Sequence, residues 1–421
     1  AMSILSVLFL AIFLIGFLIS TIYTILLLYK LFFGSTEEES ISLIDAAKKS
    51  ASHILTPVFG EYGWFALAGS TFFLLVCRAG WQNSSKAALQ MSWEHESQVL
   101  TFSKPLFITF CALVGLTIYF PFCGLEIQDL SKDLIRKSLI MSVFQFANIT
   151  CFVTGMRFLP ISTAIIVRGG ASLFFVGIFA FIQGQMNLYV GLSMLVVFAG
   201  TVFGCVPVYD GEMFTFEDME SLLWYLAGIG AVVLSAFCQA GRLVFQEISF
   251  VTNKRISPLQ LASLVALVSV TFTSMMLVAS QLLPGFDNGK QEDTIDTLIK
   301  VYRSGDEQPL LTLVLLLVIA ANFCNSERIV FLVRWYGAAT TKVLLSLEIV
   351  TTWFMAVGIF YLCQALHEPL LAGVGEEFIL GEAYLRMIGG GLVIVGSELH
   401  LKSKRELNES RQQHSPRPEA P

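Results

Sequence analysis

The chain has 421 residues, 55% of them hydrophobic and 14% charged, where soluble domains carry roughly 25% charged residues. That balance excludes an ordinary water-soluble fold. With 26 Lys and Arg against 32 Asp and Glu, the net charge is −6, so no basic surface for nucleic acid is implied. The sequence predicts an all-α polytopic membrane protein, with 36 Phe suited to lipid-facing surface.

A membrane-crossing helix needs about 20 mostly apolar residues. Eleven segments qualify: 3–33, 57–78, 104–124, 138–158, 162–182, 186–208, 221–248, 258–284, 309–334, 339–364 and 382–401. The first is too long for a signal-peptide core and lacks a following small-residue cleavage site, so it is expected to be a retained anchor. The tail carries Lys402, Lys404, Arg405, Arg411 and Arg417, which places it in the cytosol by the positive-inside rule. Counting back, the 249–257 loop (Lys254, Arg255), the 125–137 loop (Lys132, Arg136, Lys137) and the 34–56 loop (Lys48, Lys49) fall inside. The acidic 209–220 loop and the 365–381 loop, both without Lys or Arg, fall outside. The 79–103 loop is also expected outside, and its Asn83-Ser84-Ser85 sequon makes Asn83 a glycosylation candidate.

The resulting organisation is an anchor helix and linker over 1–56, a five-helix half over 57–208, an acidic connection over 209–220, a second five-helix half over 221–401 and a disordered tail over 402–421. The polar 285–308 loop is expected to be mobile. Cys77, Cys111, Cys123, Cys151, Cys205, Cys238, Cys324 and Cys363 all lie in or beside apolar runs, with no CxxC pair and no zinc-like Cys/His spacing. Neither a disulfide framework nor a metal or cofactor site is expected. Histidines 53, 95, 367, 400 and 414 do not cluster, and P-loop, GxSxG and HExxH motifs are missing, so an enzyme is not expected.

An internal repeat emerges at an offset of 177 residues. RFLPISTAIIVRGGASLFFVGI, from Arg157, runs beside RWYGAATTKVLLSLEIVTTWFMAV, from Arg334. Both have an arginine-aromatic helix end, a turn with Pro160 or Gly337, a Ser/Thr-rich helix start and a polar middle, Arg168-Gly169-Gly170 or Ser346-Leu347-Glu348. Five helices per half would make the copies inverted across the membrane, as in many secondary transporters.

These residues, with Gln246-Glu247 and Ser257-Pro258-Leu259 between them, resemble the drug/metabolite transporter superfamily, including its EamA-like members. Within it, the resemblance is greatest to the F branch of solute carrier family 35 and to chloroquine-resistance-transporter-like proteins, over roughly residues 138–400. The resemblance implies about ten core helices with both ends in the cytosol, and an endomembrane location of lysosome/vacuole or Golgi type. Eleven spans are one too many. Either 3–33 is the addition, which the charge pattern favours, or it is the true first helix and 104–124 is inserted.

Charged groups inside spans cost about 2.5–3.5 kcal/mol each on insertion scales and mark functional sites. Arg168 lies about six residues into its helix and is expected in a central cavity, facing an anionic substrate group or an internal carboxylate. Glu348, in the repeat-related region, could bind a cation, carry a proton or neutralise Arg168. Lys342 beside Thr340 and Thr341 at a helix start suits an anion. Gln145 and Asn148 share a face, as do Asn322, Asn325 and Ser326, and these faces are expected to oppose each other across one cavity. Adjacent Glu327 and Arg328 are expected not to pair. Gln239, Arg242 and Gln246 form a stripe, with Arg242 and Gln246 as gate candidates near a hydrated cytosolic end.

The expected function is secondary transport of a small polar metabolite (nucleotide sugar, organic anion, amino acid or peptide class) by alternating access. The expected partners are that solute, the lipid bilayer and a second copy in a homodimer. The rival reading is a membrane scaffold or sensor that keeps the transporter fold without transport.

Overall fold

The computed structural model describes residues 4–33, 61–95, 98–102, 104–117, 130–182, 188–206, 208–209, 212–213, 219–253, 256–287, 289–299, 309–366 and 375–414. Eleven long helices dominate them: α1 Ile4–Phe33, α2 Glu61–Gln90, α3 Pro105–Thr117, α4 Lys132–Phe158, α5 Ile161–Ile182, α6 Leu188–Gly204, α7 Met219–Thr252, α8 Pro258–Leu282, α9 Pro309–Ser346, α10 Glu348–Leu366 and α11 Leu380–His414. Each falls on one expected span, except that α9 runs past the ninth span, through a bend, into the start of the tenth. Among the described residues seven helices are long and apolar enough to cross a membrane, among them Leu310–Ala338 and Thr340–Ala365. The chain is a multi-pass helical membrane protein. Phe198, Leu223, Val278, Phe354 and Leu362 expose apolar side chains on the outside of the bundle, as a bilayer-facing surface requires.

The helix ends follow local chemistry. Ser257 caps α8 by accepting from Gln260 N while the Gln260 side chain accepts from Ser257 N, a reciprocal box with Pro258 at the first turn. Ser131 caps α4 by accepting from Leu134 N, without a returning bond. α9 bends at Gly337, whose φ of 77° with ψ of 167° is a conformation nearly confined to glycine and costs a residue with a side chain about 1–3 kcal/mol.

The packing pairs form a regular set. α2 lies against α9 and α4 against α7; α10 against α2 and α5 against α7; α3 against α9 and α8 against α4. α3 faces α8, and α6 faces α11. The α6–α11 approach is close, since a Cβ on Gly200 would lie 2.7 Å from the Gly389 carbonyl oxygen. α3 is apolar all round and buried from Phe107 to Thr117, as expected of a helix inside a bundle. α1 runs along the outside of α8 and α3, where Phe13 stacks on Phe107 and Thr24 bonds to Thr271.

Several expectations change. The second span does not stop at residue 78: α2 continues to Gln90, and a hairpin of Ser92–His95 with Gln98–Thr101 follows. The last helix continues through the expected disordered tail to His414. Part of the 285–308 loop is folded rather than loose. Glu292 accepts from Leu106 N at 2.8 Å and Phe107 N at 3.1 Å, capping α3, while Lys104 pairs with Asp287 at 2.8 Å. The cysteines described are free. Cys123, the 34–56 linker and residues 415–421 lie outside the described residues, as does most of the acidic connection.

Candidate functional site: a buried cationic centre

On α2 the helical spacing puts Arg78, Trp81, Gln82, Ser85 and Lys86 on one face. All are buried. Arg78 grips Glu348, at the start of α10, through Nε and Nη2, with Nη2 3.2 Å from Oε1. Gln82 Nε2 donates to Glu348 Oε2 at 3.3 Å, and its Oε1 accepts from the Thr352 hydroxyl at 2.8 Å. Lys86 Nζ donates to the carbonyls of Met156 and Leu159 at 2.6 and 2.9 Å, satisfying the open end of α4.

Around this ion pair stand cations whose hydrogen bonds are incomplete among the described residues. Arg168 on α5 donates from Nη2 to Asn148 Oδ1 at 2.8 Å, and its guanidinium lies 4.0 Å from the Phe152 ring and 5.5 Å from Trp81. Its Nε and Nη1 have no partner. Arg242 on α7 donates to Gln145 Oε1, leaving Nε without a partner. Lys342, on the segment of α9 beyond the Gly337 bend, is 0% exposed and its Nζ has no partner. Both amide atoms of Gln239 are likewise unpaired. Arg78 is within electrostatic reach of Arg242, Arg168 of both, and Lys342 of Arg78 and Arg168.

The expected residues divide. Arg168, Lys342, Arg242, Gln145, Asn148 and Glu348 belong to this centre. The carboxylate that Arg168 was expected to meet is instead taken by Arg78, a residue missed because hydropathy falls where α2 turns polar. The signal was the i, i+3, i+4, i+8 spacing of Arg78, Trp81, Gln82 and Lys86, visible once the helix is continued past residue 78. Arg242 and Gln246 are not at a hydrated end: they are 4% and 1% exposed.

Asn322 donates to the Ala112 carbonyl of α3, and Asn325 donates to Asn322 Oδ1 at 3.2 Å. That face serves the α9–α3 seam, not the cationic centre. Thr341 bonds back to Gly337 O at 2.8 Å, and Thr340 is half-buried. Glu327 and Arg328 do meet, at 3.3 Å, because long side chains can curl together although their Cβ atoms diverge. Asn83 is 4% exposed inside α2, donating to Ala79 O and Thr352 O, which leaves no room for a glycan. The side chain of Glu382 lies outside the described residues, and Arg386 pairs with Glu376 at 3.2 Å.

Two further carboxylates occupy related positions. Glu376 Oε1 accepts from Ser162 N at 2.9 Å at the start of α5, and Glu247 Oε2 accepts from Ala338 N at 2.9 Å just past the bend in α9. Each anion lies at the positive end of a helix that carries a centre cation, Arg168 or Lys342. A cavity of about 220 Å³ opens beside the first, lined by Ser162, Ile166, Ile349, Trp353, Met387 and Gly390. It is largely apolar and separate from the cations, around which the side chains close.

Among the described residues no group of His, Cys, Asp and Glu could hold a metal ion. The chain matches no protein-family model, and no curated protein is significantly similar to it.

Proposed function

We propose that the protein is a secondary transporter that carries a small polar metabolite by alternating access, as the resemblance to drug/metabolite transporters implies. One observation carries this reading. Cations from α2, α5, α7 and the bent α9 converge in the centre of a membrane bundle, and several of their donors are unused. Buried polar groups are nearly always satisfied in a finished structure, and a transport site must be satisfied only while its solute is present.

The packing supports two inverted halves, α2 to α6 and α7 to α11, with the helix beyond Gly337 counted with α10. Exchanging first for first, second for second and so on carries several of the largest contacts onto one another: α4–α7 becomes α9–α2, α5–α7 becomes α10–α2, and α3–α9 becomes α8–α4. α1 has no counterpart, so it is the added helix and α3 belongs to the core. In inverted halves, Glu376 and Glu247 close the fourth helix at opposite faces of the membrane. Opening one face would release one of these caps while the other holds.

The tail is then cytosolic and the site that of an endomembrane carrier, working without cofactor or enzymatic chemistry, with a homodimer as its assembly. Uptake of labelled metabolites into liposomes holding the purified protein tests the reading. Saturable uptake that Arg168→Gln abolishes is the expected result. Full membrane insertion with no flux for any metabolite class would favour the scaffold or sensor reading.

A further inference from the structure

Among the described residues the centre holds three guanidiniums, those of Arg78, Arg168 and Arg242, one ammonium, that of Lys342, and one contacting carboxylate, that of Glu348. Arginine does not give up its proton in proteins. Three fixed positive charges less one negative charge leave two, before Lys342 is counted. The carboxylates of the neighbouring elements are occupied elsewhere. Glu247 caps Ala338, Glu376 caps Ser162 and pairs with Arg386, and Glu327 pairs with Arg328.

Unused donors accompany the unbalanced charge. Among the described residues Arg168 Nε and Nη1, Arg242 Nε and Lys342 Nζ are all buried and without a partner. Trp81 Nε1 is another. These are donors only, with no acceptor role available, so they select a ligand rich in acceptor oxygens. Phe152 and Trp81 flank Arg168 and hold its plane.

We propose that the solute of this centre is an oxyanion with at least two negative charges, of the kind presented by a dicarboxylate or a phosphate monoester, held by Arg168, Lys342 and Arg242. This rests on the transporter reading only for the fate of the ligand. A neutral sugar or a zwitterionic amino acid would leave the positive charges unbalanced in a water-poor interior, and a cation would add to them. A monoanion would leave at least one uncompensated. The guanidinium fork of Arg168 suits two oxygens of one carboxylate or phosphate, and the flexible ammonium of Lys342 suits a second charged group.

The test compares solutes that differ in charge, nearly isosteric in the succinate series, using thermal melting of the purified full-length protein at matched ionic strength. Succinate is set against succinamate and succinamide, and glycerol 3-phosphate against glycerol. A saturable rise in Tm with succinate or glycerol 3-phosphate alone is expected, and the responding pair identifies the carboxylate or the phosphate source. Lys342→Met should melt above the wild type without ligand, because an unpaired buried ammonium is gone, and should weaken dianion binding by at least about tenfold. Arg168→Gln should also lose the response.

Equal stabilisation by the uncharged partners, no response to any dianion, or an unaltered response in both variants would overturn the assignment. Arg168-dependent uptake of a neutral or cationic solute would overturn it too, while leaving the transporter reading intact. Dianion binding that both variants lose, without flux in liposomes, would uphold the assignment and remove the transporter reading.

Discussion

Two buried polar regions of this bundle are built on opposite rules. Between α4 and α8 the polar groups are small hydroxyls, and each is satisfied. Ser142 donates to Val265 O at 2.9 Å, Ser269 to Ser142 O at 3.1 Å and to Val265 O at 2.8 Å, and Ser138 to Ile135 O at 2.7 Å. In the centre the groups are long and charged, and saturation is reached at the Glu348 carboxylate and Gln82 but not at the cations around them. Hydroxyls that close their bonds locally serve helix association. Charged side chains left with open donors make the empty protein less stable than it could be, which is tolerable where a ligand completes them. The contrast separates seam from site by satisfaction, not by polarity alone.

The largest break in that contrast should come from Glu348. Glu348→Ala strands Arg78 and frees a donor of Gln82, and removing one partner of a buried ion pair costs about 3–5 kcal/mol. Expression and Tm should fall sharply. Replacing both partners, Arg78→Met with Glu348→Met, should recover most of the loss, because two apolar side chains have no desolvation cost. A double variant as unstable as Glu348→Ala alone would show that Glu348 holds something other than Arg78.

The folded outer strap gives the next effect, and it depends on pH. Burial pushes the Glu292 carboxyl up to about 7, against the pull of the Leu106 and Phe107 amides and of Lys104. Its folded pKa lies above the unfolded value near 4.5, so the folded state binds the proton more tightly. The penalty for burying the charge is complete above pH 7 and is relieved as pH falls toward 4.5, a gain on the order of 3 kcal/mol. Tm should therefore rise on acidification through that window, and Glu292→Gln should flatten the rise. A wild-type Tm that falls between pH 7 and 5, with the variant following it, would refute this.

How much of this was legible before the structure depends on which residue is asked about. Helix identity was readable, since long apolar runs bounded by caps such as Ser257-Pro258 leave few choices. The bend between the repeat-related helices was marked by Gly337 and Pro160 at corresponding positions. The end of α2 was not readable by hydropathy, because Arg78, Gln82, Asn83 and Lys86 lower it, and these include the residues that build the centre. Partnerships were also hidden. The sequence repeat puts Arg168 and Glu348 in comparable regions of two helices, which suggested a pair, but their contacts depend on how α2 inserts between α9 and α10. Asn322 shows the converse: a polar face on one helix does not say whether its neighbour is a cavity or a backbone carbonyl.

An intermediate effect tests the bend that sets Lys342 in place. Gly337→Ala puts a side chain at φ 77°, with its Cβ 3.1 Å from Glu247 Oε1. A loss of about 1–3 kcal/mol is expected from the backbone alone. The cap on Ala338 should loosen with it, so hydrogen exchange at the amides after the bend should accelerate more than at the start of α5. Equal acceleration at both caps would mean that the two ends are coupled and not independent latches.

The smallest effects draw the seam and the site apart most cleanly, because they are opposite in sign. Ser269→Ala removes a hydroxyl whose bonds to Ser142 O and Val265 O are both made, and such interhelical bonds in membranes are worth about 0.6 kcal/mol. A slight loss of Tm, with ligand binding unchanged, is expected. Gln239→Leu removes an amide that is 0% exposed and has neither a donor nor an acceptor partner. Relief of that desolvation penalty should raise Tm by an amount equivalent to about 1–2 kcal/mol, while the response to a bound dianion should shrink if the amide supplies a donor to it. If both variants lose stability by the same small amount, Gln239 is satisfied in the membrane by water or lipid. The rule that separates the two regions would then fail at its simplest test, since an unpartnered side chain would no longer mark a site.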